Sequence, residues 1–353
     1  MKLFRYNVKN KKLGDCVKII YILVVLSLFI QAKDYTKKGE VIRFINKMAK
    51  ETSYTKTELK RLFSNVRVQK TALRAFIPLK KQKRRKETRT AKQIKKARHL
   101  RKTLGPWERY ARLKTNPSRV RQGTNFIRKH QKVFDAVEKK YGVPKEYIAA
   151  IIGVETVYGG HVGKYPVFDT LVTLAFEKNR RNRFFKKELS AYLKLAKSEK
   201  FNPKNVRGSY AAAIGLGQFL PSNYRAYGVD FNKDGRITMQ SAPDAIASIA
   251  NYFKKNGWRR GEPVAVRVRY EGKRFNRYKT GYRHKYSRAS LGSIKPIYAW
   301  DYKGKVSLIK LKKKAYDELW YGAKNFFVIT RYNHSDYYAM AIHQLAQKIK
   351  KRL

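Results

Sequence analysis

Residues able to carry acid–base chemistry are few in this chain, which has 83 Lys and Arg against 24 Asp and Glu. One acid stands apart. Glu155 follows the run Tyr-Ile-Ala-Ala-Ile-Ile-Gly-Val at 147–154, and no Lys or Arg occurs between Glu146 and Lys164. An apolar run with no polar face reads as a helix buried on every side. Pro144 before it and Gly159-Gly160 after it fit the punctuation of a helix start and stop. Glu155 then lies in or near the last turn, where burial and the negative end of the helix dipole both disfavour its charged form. A carboxyl kept protonated near neutral pH can protonate a leaving-group oxygen, as sugar cleavage requires. On composition alone, the alternative is an ordinary solvated glutamate.

A second segment shifts that balance. Ser-Tyr-Ala-Ala-Ala-Ile-Gly-Leu-Gly-Gln-Phe-Leu-Pro-Ser at 209–222 sets isolated polar groups among small residues. Small residues let a backbone approach a ligand closely. Gln218 offers both donors and an acceptor for a sugar hydroxyl or acetamide. The alternative is tight helix packing, and the Gly-x-Gly lacks the strand and spacing of a dinucleotide site.

The segment Asp-Phe-Asn-Lys-Asp-Gly-Arg-Ile at 230–237 matches the first eight positions of an EF-hand loop. Asp230, Asn232 and Asp234 place oxygens at alternate residues, Gly235 makes the turn, and Arg236 supplies a backbone carbonyl. The twelfth position is Ser241, where the bidentate glutamate should stand. Ca²⁺ is the favoured occupant. Na⁺ and a simple Asx-rich turn are the alternatives. Ser241-Ala-Pro-Asp244 itself reads as a helix capping box with Pro in the first turn.

These residues need elements to position them. Residues 41–76 show helical spacing in Val41, Ile42, Phe44, Ile45 and Met48, then Leu59, Leu62, Phe63 and Val66, with Thr57-Glu58 helping to start the second helix. Residues 80–102 carry thirteen basic groups against one acidic, a solvated helix or flexible arm suited to an anionic surface. Further helices are expected over 107–140, with Phe126, Val133, Phe134 and Val137 inward. The stretch 264–311 alternates in Val264, Val266, Val268 and Tyr270 and again at 306–311, which predicts a small antiparallel sheet. Helix returns at 336–353. The expected fold class is α+β, mainly α.

Together the motifs resemble the lysozyme-like lytic murein transglycosylases of the B-type, membrane-bound group. The matching text is Tyr-Gly-Val-Pro at 141–144, Ile-Ile-Gly-Val-Glu-Thr at 151–156, the 209–222 segment, Ala-Ile-x-Ser-Ile-Ala-Asn-Tyr-Phe at 245–253 and Ile-Thr-Arg-Tyr-Asn-His-Ser-Asp-Tyr-Tyr-Ala-Met-Ala at 329–341. The resemblance implies a lysozyme-like core at 141–260 with the calcium loop, a helical region at 33–140 joined by a C-terminal helix at 327–353, and a small β subdomain at 261–326. It implies cleavage of the β-1,4 bond between N-acetylmuramic acid and N-acetylglucosamine in peptidoglycan glycan strands, without water, leaving a 1,6-anhydro ring. Glu155 would act as the single acid and then base. Ser209 and Gln218 would bind sugar substituents. Tyr110, Tyr332, Asn333 and Tyr338 would line the cleft, with Tyr338 or Tyr332 near Glu155. Asp244 would complete the metal ligands. No organic cofactor is implied. Where the family commonly reads Arg-Trp-Gly after Glu-Thr, this chain has Val157-Tyr158-Gly159, so a cation beside the acid is lost.

Charge and the N-terminus bound the setting. The net charge of +59 suggests a polyanionic partner, whether nucleic acid, anionic lipid or wall glycan. Hydrophobic content of 43% supports packed cores and excludes global disorder. Residues 1–18 hold six Lys or Arg, and a twelve-residue apolar run follows at 19–30. That is the shape of an export signal over 1–32, with an uncleaved anchor as the alternative. Cys16 precedes the apolar run, so it is not a lipoprotein cysteine. The expected place is the periplasm of a Gram-negative bacterium, and the expected state a monomer. Export and the lack of any nucleic-acid module argue against specific nucleic-acid binding. Two further readings remain: a hydrolytic muramidase using Asp169 or Glu177 as second carboxylate, and a non-catalytic wall-binding protein.

Overall fold

Three helices come first among the residues described by the computed structural model, which are 32–78, 90–270 and 274–353. They are α1 (Gly39–Glu51), α2 (Lys56–Ser64) and α3 (Lys70–Phe76). Val41, Ile45, Met48, Leu59 and Phe63 are buried at the expected spacing. Glu58 helps to start α2 as expected, but its partner differs. Thr55, not Thr57, caps it: the Thr55 hydroxyl accepts the Glu58 amide at 3.1 Å and the Glu58 carboxylate accepts the Thr55 amide at 2.6 Å. A reciprocal box places the cap three residues before the glutamate, which Thr57 cannot satisfy. Phe63 meets Phe168 edge-on at 5.3 Å and seats these helices on the core.

The expected targeting segment lies outside the described residues, apart from residue 32, as do residues 80–89 of the basic stretch. The rest of that stretch is helix α4 (Ala91–Thr103), capped by Thr90 with Gln93. None of its residues is buried, and Ile94, Ala97 and Leu100 form a half-buried stripe. Helices α5 (Pro106–Lys114), α6 (Pro117–Lys129) and α7 (Gln131–Tyr141) follow, the first two opening on proline.

Helix α8 (Lys145–Thr156) is the axis of the molecule. Every residue in it except Lys145 and Glu155 is buried, as its unbroken apolar run requires. Helix α6 packs on one side of it, and α7 also touches it. After α8 come β1 (Tyr165–Pro166), α9 (Val167–Phe176), α10 (Asn182–Ser198), β2 (Arg207–Gly208), α11 (Pro221–Tyr227) and α12 (Ala242–Lys255). The short pair β1–β2 places Tyr165 opposite Gly208, and isolated bridges join Gly208 to Ile214 and Ile214 to Phe219. This folds the glycine-rich segment back beside the end of α8.

The alternating stretches form an antiparallel sheet of order β4-β3-β6-β5, from β3 (Ala265–Arg269), β4 (Lys295–Pro296), β5 (Ser307–Lys312) and β6 (Asp317–Gly322). Val266, Val268, Leu308, Leu319 and Tyr321 belong to a small apolar core of its own. The architecture is mainly α with one small antiparallel sheet, as expected. The C-terminus departs from the single helix expected at 327–353. It is two helices, α13 (Lys324–Tyr332) and α14 (Asp336–Lys350), and α14 packs against α8. Ser335 accepts the Tyr338 amide at 3.3 Å and starts the second helix. The break matters. A continuous helix turns about 100° per residue, which would set Tyr332 and Tyr338 about a third of a turn apart. Here their rings stack, with centroids 6.5 Å apart and planes at 11°.

Candidate active site

Glu155 stands at the last turn of α8 and is half-buried. Its Oε1 accepts the Tyr338 hydroxyl at 2.6 Å. Tyr338 is itself buried, so the pair is shielded on the α14 side. Helix α8 does not end on a glycine. Val157 and Tyr158 adopt left-handed conformations, with φ of 55° each. A β-branched residue there is a strained outlier. The turn is held by Thr156, whose hydroxyl donates to the Leu216 carbonyl at 3.1 Å and accepts the Gly159 amide at 3.2 Å. That bond ties the acid's helix to the glycine-rich segment. Tyr158 lies over Gly153, where a Cβ would come within 2.4 Å of its hydroxyl.

The absence of cations in sequence does not carry into space. Lys114, at the end of α5, donates to the Val154 carbonyl at 3.2 Å. Arg119 of α6 donates to the Gly153 carbonyl. Lys114 thereby caps a carbonyl that the end of a helix leaves unpaired, and Arg119 adds a second donor to one that already accepts the Val157 amide at 3.2 Å. Arg119 keeps its Nε buried without a partner. Burial pushes the Glu155 carboxyl above the usual range, while the Tyr338 hydrogen bond and the Lys114 charge draw it part of the way back. Lys114 is held below the usual lysine range, by burial first, with the Glu155 charge opposing. A cation absent from the chain after Glu155 is therefore present from a different helix. Sequence reading missed Lys114 and Arg119 because nothing distinguishes them among so many basic residues.

The tyrosines gather around the acid. Burial, then the Glu155 charge, raises the phenols of Tyr110, Tyr332 and Tyr338. Tyr332 donates to the Gly217 carbonyl; a Cβ on Gly217 would come within 3.0 Å of that hydroxyl, so the absence of a side chain there eases the approach. Tyr110 is half-buried against Trp107 and Tyr337, with centroids 6.2 and 5.8 Å away. Asn333 is exposed at the end of α13, and its side chain bonds to none of the other site residues.

Ser209 and Gln218 use part of their capacity internally. Ser209 Oγ accepts the amides of Ala211 at 3.3 Å and Ala213 at 3.0 Å, leaving its proton to donate. Gln218, at φ 51°, donates Nε2 to the carbonyls of Val162 at 3.1 Å and Gly215 at 2.9 Å. Its carbonyl oxygen remains as the acceptor, so it faces a ligand with one function rather than two. The two alternative carboxylates are engaged elsewhere. Asp169 is buried between the Arg67 amide at 3.1 Å and Lys204 at 2.9 Å. Glu177 accepts from Lys33 at 2.8 Å and Tyr35 at 2.7 Å.

In the acidic loop, Asp230 Oδ2 accepts the Gly235 amide at 2.9 Å, Asn232 donates to Asp234 at 2.7 Å, and Asp234 accepts the Arg236 amide at 2.9 Å. Asp244 does not make the capping box expected of it. Ser241 caps α12 without a side-chain bond, and the fully buried Asp244 turns to the loop, accepting the amides of Phe231 and Thr238 at 2.9 Å each. Asp230 Oδ1 is buried with no partner, an orphaned acceptor that fits a hard cation. No cluster of three or more His, Cys, Asp or Glu side chains at metal-holding spacing occurs among the described residues.

Known proteins place this arrangement. The transglycosylase SLT domain family matches residues 37–347. The chain is 40% identical over 247 residues, 69% of its length and 68% of the relative's, to membrane-bound lytic murein transglycosylase B of Escherichia coli. Solved structures of the Escherichia coli lytic transglycosylase Slt35, one with bulgecin A and one with calcium, superpose with a TM-score of 0.79 at 34% identity, covering 91% of this chain and 96% of theirs. SltB3 of Pseudomonas aeruginosa, solved with NAG-anhNAM-pentapeptide, superposes with a TM-score of 0.71 at 26% identity, covering 87% of this chain and 78% of its own. A match over most of the chain, joined to one half-buried glutamate under a tyrosine hydroxyl, means that the protein belongs to the transglycosylase SLT domain family of lytic murein transglycosylases.

Proposed function

We propose that this protein cleaves the β-1,4 bond between N-acetylmuramic acid and N-acetylglucosamine in peptidoglycan, with Glu155 as the only acid and base. The observation that carries the reading is that, among the described residues, the groups acting on Glu155 are a tyrosine hydroxyl and a lysine, and no second carboxylate. Ordinary glycosidases use two carboxyl groups flanking the bond. With one, the substrate supplies the attacking oxygen. Glu155 gives its proton to the bridging oxygen as the C1–O bond breaks. The resulting carboxylate, favoured by Tyr338 and Lys114, takes the proton of the C6 hydroxyl as that oxygen bonds to C1. Atoms balance without water, the acid is regenerated, and the muramoyl end is a 1,6-anhydro ring. Ser209 would donate to a sugar substituent and the Gln218 carbonyl would accept from one. Tyr110, Tyr332 and Asn333 would line the cleft.

Mass spectrometry of digested sacculi tests this directly. Anhydromuramoyl ends are expected; reducing ends mean a hydrolase. The hydrolytic reading is disfavoured because Asp169 and Glu177 are both held by cations and backbone or phenol donors. A wall-binding protein without activity is the remaining alternative, and Glu155→Gln digesting sacculi as fast as wild type would favour it.

The loop at 230–237 is proposed as a structural Ca²⁺ site held by Asp230, Asn232, Asp234, the Arg236 carbonyl and Asp244. The unpartnered Asp230 oxygen supports it. EGTA is expected to lower the melting temperature of wild type and leave an Asp230→Ala variant unchanged. Export through residues 1–32 to the periplasm, and contact of the basic segment 80–102 with an anionic membrane or wall surface, complete the reading. No helix among the described residues is long and apolar enough to cross a membrane.

A further inference from the structure

The cavity at the start of α13 differs in chemistry from the others. It measures about 220 Å³ and lies between the end of α12, the strands β5 and β6, and the first turn of α13. Arg259, Lys285, Lys305 and Lys324 line it together with Tyr302 and Ser307, and no carboxylate does. Three further cavities each include a Glu or Asp. Arg259 is paired with Glu262 at 3.0 Å. Lys285, Lys305 and Lys324 have no acidic partner among the described residues, and the first and last lie over the Phe327 ring at 4.5 and 5.7 Å. Tyr302 is 8% exposed; it accepts the Lys324 amide at 3.1 Å and donates its own proton to no described residue. Ammonium groups and a free O–H are donors, and they select an anionic acceptor.

We propose that this cavity receives a carboxylate from the peptide stem of the peptidoglycan strand lying in the Glu155 cleft, an inference that rests on the peptidoglycan-cleaving reading above. Helix α13 rises about 1.5 Å per residue, so its length puts the cavity roughly 12 Å from Tyr332. An extended pentapeptide spans up to about 17 Å. Aromatic rings lie between them. Tyr282 stacks on His334, the neighbour of Asn333, with centroids 6.5 Å apart and planes at 21°, and lies 6.2 Å from Phe327, which Lys285 covers. A peptide leaving the cleft at Asn333 would run along these rings to the lysines.

Two measurements test it. The first compares kcat/KM on glycan strands bearing stems with the same strands stripped of peptide by an amidase. Wild type is expected to prefer stem-bearing strands by about tenfold, the scale of one charge-assisted hydrogen bond. In Lys285→Glu/Lys305→Glu, both exposed positions, that ratio falls towards one. A control of equal charge change on α2, Lys56→Glu/Lys60→Glu, both exposed, keeps it. An unchanged ratio in the Lys285/Lys305 variant overturns the proposal. So does a variant that keeps the ratio but loses binding to phosphatidylglycerol vesicles, which would assign the cavity to a lipid phosphate. The second measurement is calorimetric titration with the stem pentapeptide and with its carboxyl groups capped as amides. Selective binding of the free acid, abolished in the Lys285/Lys305 variant, supports the cavity without any turnover; equal binding of acid and amide overturns it. If wild type cleaves neither strand, the reaction assigned to Glu155 fails while the titration still decides the cavity.

Discussion

Glu155 and Asp244 are both acids at the end of a buried helix, but at opposite ends. Asp244 lies in the first turn of α12, is fully buried, and engages a backbone amide with each oxygen. Glu155 lies in the last turn of α8, is half-buried, and has one oxygen on a single hydroxyl. The helix dipole favours negative charge at the first position and opposes it at the second. Asp244 is thereby a brace: its donors are main-chain groups that cannot leave. Glu155 has one oxygen open to a substrate and surroundings that tolerate both of its protonation states. Burial alone does not separate a structural acid from a reactive one. The number and kind of donors do.

Four measurements sharpen or break that contrast. Glu155→Gln should lower activity on sacculi by about 10³-fold, within the range for removing a general acid. Its stability should move the other way. Burial raises the folded-state pKa of Glu155, so the native state keeps its proton where the unfolded chain has lost it. That contribution is fully present below the ordinary glutamate value of about 4.3 and is lost as pH rises through the raised value. The variant's melting temperature should therefore gain on wild type as pH increases. A gain that shrinks with pH would contradict the burial account. Asp244→Ala should destabilise by about 3 kcal/mol in chemical denaturation, since the Phe231 and Thr238 amides lose their acceptor. A loss below about 1 kcal/mol would mean that the brace is dispensable.

Tyr338→Phe should cost about tenfold in kcat/KM through loss of a hydrogen bond to a charged group. Without that bond the Glu155 pKa rises further, so the alkaline limb of the pH–rate profile should move to higher pH. Lys114→Met should move the limb in the same direction with a smaller loss of rate, and Lys114→Arg should restore it. A limb that stays in place in both Lys114 variants would show that this lysine only caps α8.

Much of this contrast was legible in the residue order. The burial of α8 follows from its apolar run, and the EF-hand spacing marks the loop that Asp244 braces. The strands at 265–269 and 307–312 follow their alternation. Other features were not. Thr57 and Thr55 both precede Glu58, and only the reciprocal hydrogen bonds identify Thr55 as the cap. Ser241 and Asp244 have the spacing of a capping box, yet Asp244 turns to the loop because the Phe231 and Thr238 amides lie within its reach. The break at 333–335 carries no proline or glycine, so the helical pattern ran through it.

By itself the sequence determined that the helix carrying Glu155 is buried, because periodicity and composition are local properties that decide whether a helix can have a wet face. It determined the oxygen spacing of the acidic loop for the same reason. Only the tertiary structure decided what surrounds that acid. Lys114 arrives from α5, Arg119 from α6 and Tyr338 from α14, and such long-range neighbours are set by how helices pack. Along the chain Glu155 has no cation beside it; in the folded protein Lys114 stands behind its helix, and Tyr338 selects which of its oxygens stays open.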